Sequence, residues 1–501
     1  MDRIESNRLC AIGGALSAVA AAAMGSACTA VAGEKDIPNQ PAPEDRPNIL
    51  FILADDMTFE AIHALGNDEV ITPNLDRLVE GGTAFVNTYI MGGWHGAISV
   101  ASRSMLLTGR YLWHSRAAQN AGYSELFKAG GCWPQVMKKG GYDTYLTGKW
   151  HIDHITPEQV FDVTADVRPG GMPGANKLQY DRPLSENDDR WLPWDRSMGG
   201  YWAGGRHWSE VQADDVIGWL EDRKDEEDPF FMYVAFNAPH DPRQSPKEYV
   251  DMYDVDNIRV PKNFSPEHPL KELMGCPATS RDEKLAPFPR TEYAVRKHRQ
   301  EYYAIITHLD AQIGRIMDSL EKTGLLENTV VVFAADNGLS CGHHGLFGKQ
   351  NMYEHSMRVP LVFYGKGIPS GQKVGSLVYM HDLVPTVYEI AGISSPSGVE
   401  YRSFMKSIKN PGASQRNAVY GAFTETDQRM VCDGRYKLFF IPKARTAYLF
   451  DLKNDPEEMT DLFGDRKYSG VVERLAKKYL ELSSEAGDPL DITQYYPEIF
   501  K

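Results

Sequence analysis

The chain is 501 residues long, 42% apolar and 24% charged, with a formal net charge of −15. That is enough length and apolar material for one large folded domain with an appendage. The negative balance disfavours nucleic-acid phosphates and anionic membrane surfaces as partners, but it permits an anionic substrate in a cleft where a few local cations dominate.

Arg3 and Arg8 precede LCAIGGALSAVAAAAMGSACTAVA, an uncharged Ala-rich run ending on the small-x-small pattern Ala30-Val31-Ala32. Residues 1–32 are expected to be an export signal cleaved near Ala32, giving a periplasmic or secreted protein without a stable membrane span in its mature form. Two alternatives stand beside this. A retained anchor is disfavoured because so much Ala and Gly is weakly hydrophobic. Lipidation at Cys28 is disfavoured because Gly25 is a poor residue three places before a lipidated cysteine. Cys132, Cys276, Cys341 and Cys432 then remain, with no C-x-x-C spacing for a zinc knuckle or redox pair. An oxidising compartment permits a disulfide among them, and the sequence assigns none.

Residues 33–46 read as a Pro-rich, polar linker. NILFILADD follows, a continuous apolar run of strand length that stops on two acids, the pattern of a strand buried on both faces of a parallel sheet. ITPNLDRLVEGG predicts a helix capped by Thr72, with Pro73 in its first turn and Gly81-Gly82 as its stop. TAFVNTY predicts the next strand. The same alternation continues: helix WPQVMKKGG and strand YDTYLTG, helix EVQADDVIGWLEDRK and strand PFFMYVAF, a long helix from about Thr291 to Leu320 and strand NTVVVFAAD. Strand VPLVFYG and helix DLVPTVYEIAG close the series. This is α/β grammar, predicting a large, mostly parallel mixed sheet sandwiched by helices over residues 47–393. From residue 394 to 501 the texture changes to short strands NAVYGAF, RMVCDG, YKLFFI and AYLFDL, then helix GVVERLAKKYLELSS, which predicts a small C-terminal antiparallel sheet with one helix.

The ends of strands in such a sheet converge on one crevice. Asp55-Asp56, Ser99 to Arg103, Lys149 with His151, His240 and Asp336-Asn337 all fall at such positions, and Lys349 follows soon after. Asp55, Asp56, Asp336 and Asn337 are oxygen donors, suited to a hard divalent cation such as Ca²⁺ or Mg²⁺. Each doublet alone reads equally well as a turn or helix cap, and it is their pairing at two strand ends that favours a metal. Lys149 and His151 would share a face if GKWH is extended. Ser99 is expected at the positive end of a helix starting near Val100, with Arg103 returning to the same side one turn later. Taken singly, Lys149, His151, His240 and Lys349 read as surface or turn residues, and the adjacent His343 and His344 diverge too much to suggest zinc.

The ordered set of segments resembles the type I, formylglycine-dependent sulfatases of the alkaline-phosphatase superfamily. The resemblance covers about residues 47 to 465 and is carried by NILFILADD, ITPNLDRL, SVASRSMLLTGR, TGKWH, FNAPHDP, ITHLDAQIGRI, FAADNG, FGKQNMYEHSMRVP, DLVPTVYEIAG and LFDLKNDPEE. It implies that Ser99 is a precursor, oxidised to Cα-formylglycine by a radical-SAM maturase of the anaerobic type, and that the aldehyde hydrate is the nucleophile. Ala101 stands where the family more often has proline. One Ca²⁺ is implied, held by Asp55, Asp56, Asp336, Asn337 and matured residue 99, polarising the sulfate. Asp336 would also take the attacking proton. Arg103 and Lys149 would hold the formylglycine and the sulfate charge, and Lys349 and His240 would contact sulfate. His240 would protonate the leaving alcohol, and His151 would strip the second hydroxyl proton to expel sulfate.

The substrate implied is a sulfated carbohydrate, of the kind that secreted bacterial enzymes remove sulfate from in algal or host polysaccharides. Trp94, His95, Arg110, His114, Trp202, Arg206, His207 and His344 are candidates for a sugar subsite, although loop aromatics often only pack. Two alternatives remain: a phosphodiester or phosphonate monoester hydrolase of the same superfamily, and a non-catalytic sulfated-glycan-binding protein if Ser99 is not oxidised.

Overall fold

The computed structural model of the protein describes residues 46–500. The expected export segment and all but the last linker residue lie outside the described residues. An eight-stranded mixed sheet forms the centre, in the order Gln372–Val374, Thr83–Phe85, Leu361–Gly365, Thr329–Ala335, Asn48–Ala54, Phe230–Ala235, Asp143–Lys149 and Val163–Arg168. Leu361–Gly365 runs antiparallel to both neighbours, and all other pairs are parallel.

The continuous apolar runs produce the central strands because both faces are covered. All seven residues of Asn48–Ala54 and of Thr329–Ala335 are buried. Successive residues of one strand meet different helices: Phe230 lies edge-on to Trp219 of Trp208–Asp222, whereas Phe231 packs on Trp133 of Trp133–Lys139. That alternation places helices on opposite faces. The 31-residue helix Glu292–Lys322 lies against Trp208–Asp222 and Pro73–Gly81. The predicted elements agree with these bounds, with one exception. TAFVNTY is two short strands: Thr83–Phe85 joins the large sheet, while Thr88–Tyr89 pairs with Val378–Tyr379 in a separate ribbon. Val86 N–H still bonds Val374, and the chain leaves the large sheet at Asn87, whose amide bonds the Gly375 carbonyl.

The C-terminal sheet has the order Thr446–Asp451, Tyr436–Ile441, Gln428–Cys432, Val419–Phe423 and Gly92–Gly93. The first four are antiparallel neighbours backed by the helix Ser469–Ala486. The fifth comes from the stretch just before Ser99 and runs parallel to Val419–Phe423. Gly92 has φ +89° and a Cβ there would lie 2.0 Å from the Ala422 carbonyl oxygen, so only glycine permits this approach. One continuous core joins both sheets. Among the described residues no helix is long and apolar enough to cross a membrane.

Candidate active site

Four adjacent parallel strands carry the site at their C-terminal ends. Asp55 and Asp56 follow Asn48–Ala54, Asp336 and Asn337 follow Thr329–Ala335, Lys149 ends Asp143–Lys149, and His240 sits in the turn after Phe230–Ala235. Asp56 takes φ 66°, a left-handed turn that directs the two successive acids apart. Ser99 is the second residue of the buried helix Ile98–Thr108, and Arg103 lies one turn on. His381, through Nε2, donates to the Ser102 carbonyl (3.1 Å) and ties that helix to the ribbon beyond Val378–Tyr379.

The Ser99 hydroxyl donates to Asp55 Oδ1 (2.9 Å) and Asn337 Oδ1 (3.3 Å), and among the described residues it bonds no histidine. Asp55 pairs with Lys149, Asp56 with Lys349, and Asp336 Oδ2 accepts from Arg103 Nε at 3.1 Å. All six side chains are at most 2% exposed. Asn337 Nδ2 donates to Asp56 Oδ1 (2.8 Å), and the Asp56 N–H donates to Asp336 Oδ1 (3.2 Å). The three carboxylates can each present an oxygen within 4.8 Å of the others. With the oxygens of residue 99 and Asn337 beside them, the set fits a hard cation and lacks the soft or nitrogen donors of a zinc site.

Electrostatics distinguish the three acids. Burial would raise the Asp55 carboxyl, but Lys149, with His240 and Arg103, holds it well below the usual range. Asp336 is pushed up to about 6, by burial first and by the Asp55 charge second, despite Arg103. Burial, outweighed by Asp56, leaves the Lys349 ammonium firmly protonated. His151 is pulled down to about 2 by burial and by Lys149, so it stands neutral, with Nδ1 buried and unpaired. Arg103 Nη2 is likewise buried without a partner. The orphaned Arg103 N–H marks a place for a bound oxyanion, and the unpaired His151 nitrogen a place for a hydroxyl beside it. His240 donates through Nδ1 to the Asp241 carbonyl (2.6 Å), leaving Nε2 3.2 Å from Arg281 Nη2 and 3.7 Å from Asp56.

Above this floor opens a cavity of about 420 Å³, into which Ser99, His151, His240 and Lys349 face. His151 arrives there differently from the expectation. The strand stops at Lys149 and His151 takes φ 53°, so a turn rather than strand alternation brings it to the pocket. Gly170 packs against its ring, since a Cβ there would lie 2.0 Å from His151 Cδ2.

The eight candidates for a sugar subsite do not line this cavity. His207 is fully buried, accepting from Ser209 N–H and stacked on Tyr201. Trp202 is buried and donates to the Pro193 carbonyl, and His344 stacks on Tyr353. Arg206 pairs with Asp214, His114 pairs with Glu400, and Arg110 lies beside Gly398. Trp94 and His95 stand just before the Gly96 rim, Trp94 with its carbonyl on Thr424 and His95 accepting from Ala97 N–H.

Sequence reasoning missed other residues that do reach the site. Ser280, Arg281 and Asp282 enter from the irregular connector before Glu292–Lys322, Gln350 follows Lys349, and Glu425 comes from the C-terminal hairpin. Glu283, fully buried, accepts from Phe347 and Gly348 N–H (3.1 and 2.9 Å) and from Arg290 (2.6 Å), fixing the backbone that carries Lys349. The available signal was the dense SRDE run in a long connector, where binding residues commonly sit.

A family model described as Sulfatase matches residues 47–393, and one described as N-sulphoglucosamine sulphohydrolase, C-terminal, matches residues 342–485. The arylsulfatase of Clostridium perfringens is 28% identical over 469 residues, covering 86% of this chain and 93% of that protein. The N-acetylglucosamine-6-O-sulfatase of Bacteroides thetaiotaomicron is 26% identical over 513 residues, covering 87% and 85%. The solved phosphonate monoester hydrolase of Agrobacterium radiobacter shares the fold with a TM-score of 0.68 at 21% identity, covering 90% and 97%.

Proposed function

The chain belongs to the sulfatase family of the alkaline-phosphatase superfamily and is a sulfuric ester hydrolase, and on that premise we propose that it removes sulfate from a carbohydrate, using residue 99 oxidised from serine to Cα-formylglycine. The observation that carries this is the Ser99 hydroxyl, buried among Asp55 and Asn337 with no imidazole bonded to it. A serine so placed lacks the base that would make it a nucleophile. An aldehyde hydrate at the same carbon would offer one hydroxyl for attack and a second through which sulfate is expelled. The maturase is proposed to be of the anaerobic radical-SAM type, and residues 1–32 to direct export.

Asp55, Asp56, Asp336, Asn337 and residue 99 would hold one Ca²⁺, which would supply Lewis-acid polarisation of sulfate oxygens. The chain's own groups divide the remaining work. Arg103 and Lys149 position residue 99, and the free Nη2 of Arg103 is available to a sulfate oxygen. Lys349 places an ammonium at the cavity wall. Asp336, whose carboxyl burial and Asp55 raise while no ion is bound, would receive the proton of the attacking hydroxyl. His240 faces the cavity, and once Nε2 has taken a proton in place of its contact with Arg281 it would give that proton to the leaving alcohol. His151, neutral and with Nδ1 unpaired, accepts the proton of the second hydroxyl. The sugar reading rests on the likeness to the N-acetylglucosamine-6-O-sulfatase.

The test is mass spectrometry of the peptide bearing residue 99 after co-expression with such a maturase, alongside turnover of an aryl sulfate and an aryl phosphodiester. Loss of two hydrogens with faster sulfate release is expected. An unmodified serine in a fully active protein would overturn the nucleophile assignment, and faster turnover of the phosphodiester would favour the phosphonate-hydrolase reading that the shared fold admits.

A further inference from the structure

Resting on the sulfatase reading, we propose that the pocket mouth selects a neutral or amine-bearing leaving group and rejects one carrying a second anionic group beside the sulfate ester. The floor and the mouth have opposite characters. In the floor, Lys149, Lys349 and Arg103 balance three carboxylates one for one. The mouth is lined by Arg281, Asp282 and Glu425, with Gly96 open beside the Glu425 carboxylate.

Arg281 is the obvious receptor for a second anion, being 45% exposed at the side chain. Its charge is already engaged. Nη2 lies 2.5 Å from Asp282 Oδ1 and 3.3 Å from Asp241 Oδ1, and the same nitrogen faces His240 Nε2. Asp282 is further fixed by the Gln350 amide at 2.7 Å. Glu425 is exposed, and among the described residues its carboxylate has no cationic partner. Its Oε1 accepts from Gly96 N–H at 3.3 Å, and the Lys443 ammonium is directed instead at the Glu425 backbone carbonyl (2.8 Å). Burial holds His95, close by, below its usual range and so uncharged. Asp282 thus meets Arg281 and Lys349, and Asp241 meets Arg281 with the buried Arg243 behind it, which leaves Glu425 as the mouth's unpaired charge.

The position of Glu425 is fixed by the fold. Its hairpin continues the strand Val419–Phe423, which is registered on Gly92–Gly93, and Thr424 bonds both Gly93 and Trp94. A carboxylate held there accepts hydrogen bonds from sugar hydroxyls or an ammonium but repels a carboxylate or second sulfate. One unbalanced charge at about 7 Å, with an effective dielectric of about 40 for a half-solvated mouth, corresponds to about a tenfold discrimination between a charged and a neutral ring.

The experiment uses the matured, calcium-loaded protein and three aryl sulfates matched in leaving-group pKa, whose rings bear hydrogen, an aminomethyl group or a carboxylate. Expected is a kcat/KM about tenfold lower for the carboxylate than for the unsubstituted ring, with the aminomethyl substrate at or above the latter. That ratio should narrow severalfold in Glu425→Gln and widen in Arg281→Gln. Equal rates, a preference for the carboxylate, or a ratio unchanged in Glu425→Gln would overturn the proposal. Should that variant fail to fold, the wild-type ratio at low and at about 0.5 M salt decides the same question, because a coulombic preference shrinks with screening and any other does not. No release from any of the three sinks the sulfatase reading itself, whereas release without discrimination sinks only this one.

Discussion

Calcium should stabilise this protein modestly, and the structure sets the size of the effect. Because Asp55, Asp56 and Asp336 each already face a buried cation, the metal-free chain is not forced apart by carboxylate repulsion and should remain folded. The gain on binding then follows mass action, about 2.7 kcal/mol at a hundredfold excess over Kd. Unfolding about 450 residues at about 2.1 cal/mol/K per residue gives roughly 1 kcal/mol per kelvin, so Tm should rise by about 3 °C. Asp55→Asn should lose that rise. It should also lower the metal-free Tm by roughly 3–5 °C, because a stranded buried Lys149 costs about 3–5 kcal/mol. Differential scanning calorimetry of EDTA-stripped protein, with and without CaCl₂, reads both. The reasoning fails if neither CaCl₂ nor MgCl₂ moves the wild-type transition, or if Asp55→Asn responds as wild type does.

Three further outcomes are expected. Ser99→Ala should abolish sulfate release while leaving the circular dichroism spectrum and Tm near wild type, since only a buried hydroxyl is removed. Glu458, buried beside Lys437 and Glu354, has its carboxyl raised to about 7 by burial, with Lys437 opposing and Glu354 assisting. The folded state then binds more protons than the unfolded one between about 4.5 and 7, so this group's contribution to stability falls as pH rises through that window, by up to about 1.4 kcal/mol per unit. Urea denaturation should show Glu458→Gln flattening that slope, and an unchanged slope would rule the assignment out. Glu283→Gln keeps an acceptor for Phe347 and Gly348 N–H but removes the charge facing Arg290, so kcat should fall about tenfold through a loosened Lys349 with KM little changed; Glu283→Asp should recover part of the loss.

The acids of the floor were legible because continuous apolar strands ended abruptly on Asp55-Asp56 and Asp336-Asn337, and burial on both faces leaves strand ends as the place for charge. Lys149, His151, His240 and Lys349 were individually unremarkable, and only their order along the chain singled them out. The mouth was not legible. Arg281 and Asp282 belong to a connector without periodicity, and Glu425 belongs to a hairpin hundreds of residues from Ser99 in sequence. Local patterns carry no record of such long-range approach. That the eight sugar-subsite candidates do not line the cavity has a physical cause too. Trp202 and His207 are polar-tipped aromatics in a glycine-rich loop, and each buries its ring and satisfies its nitrogen internally, as such residues often do. TAFVNTY read as one strand because its residues favour extended backbone throughout, and the break at Asn87 is set by a partner ribbon near residue 378.

The parallel pairing of Gly92–Gly93 with Val419–Phe423 also sets a clock. The stretch leading into Ser99 is short of a neighbour until the ribosome has made the hairpin ending at Cys432, some 340 residues later. At about 5–20 residues per second that is a delay of roughly 17 to 70 seconds. Ser99 is 1% exposed once the sheet closes. On the proposed oxidation of residue 99, its maturase would meet an open chain most readily before this seam closes, and a variant that sealed it early should carry less of the aldehyde.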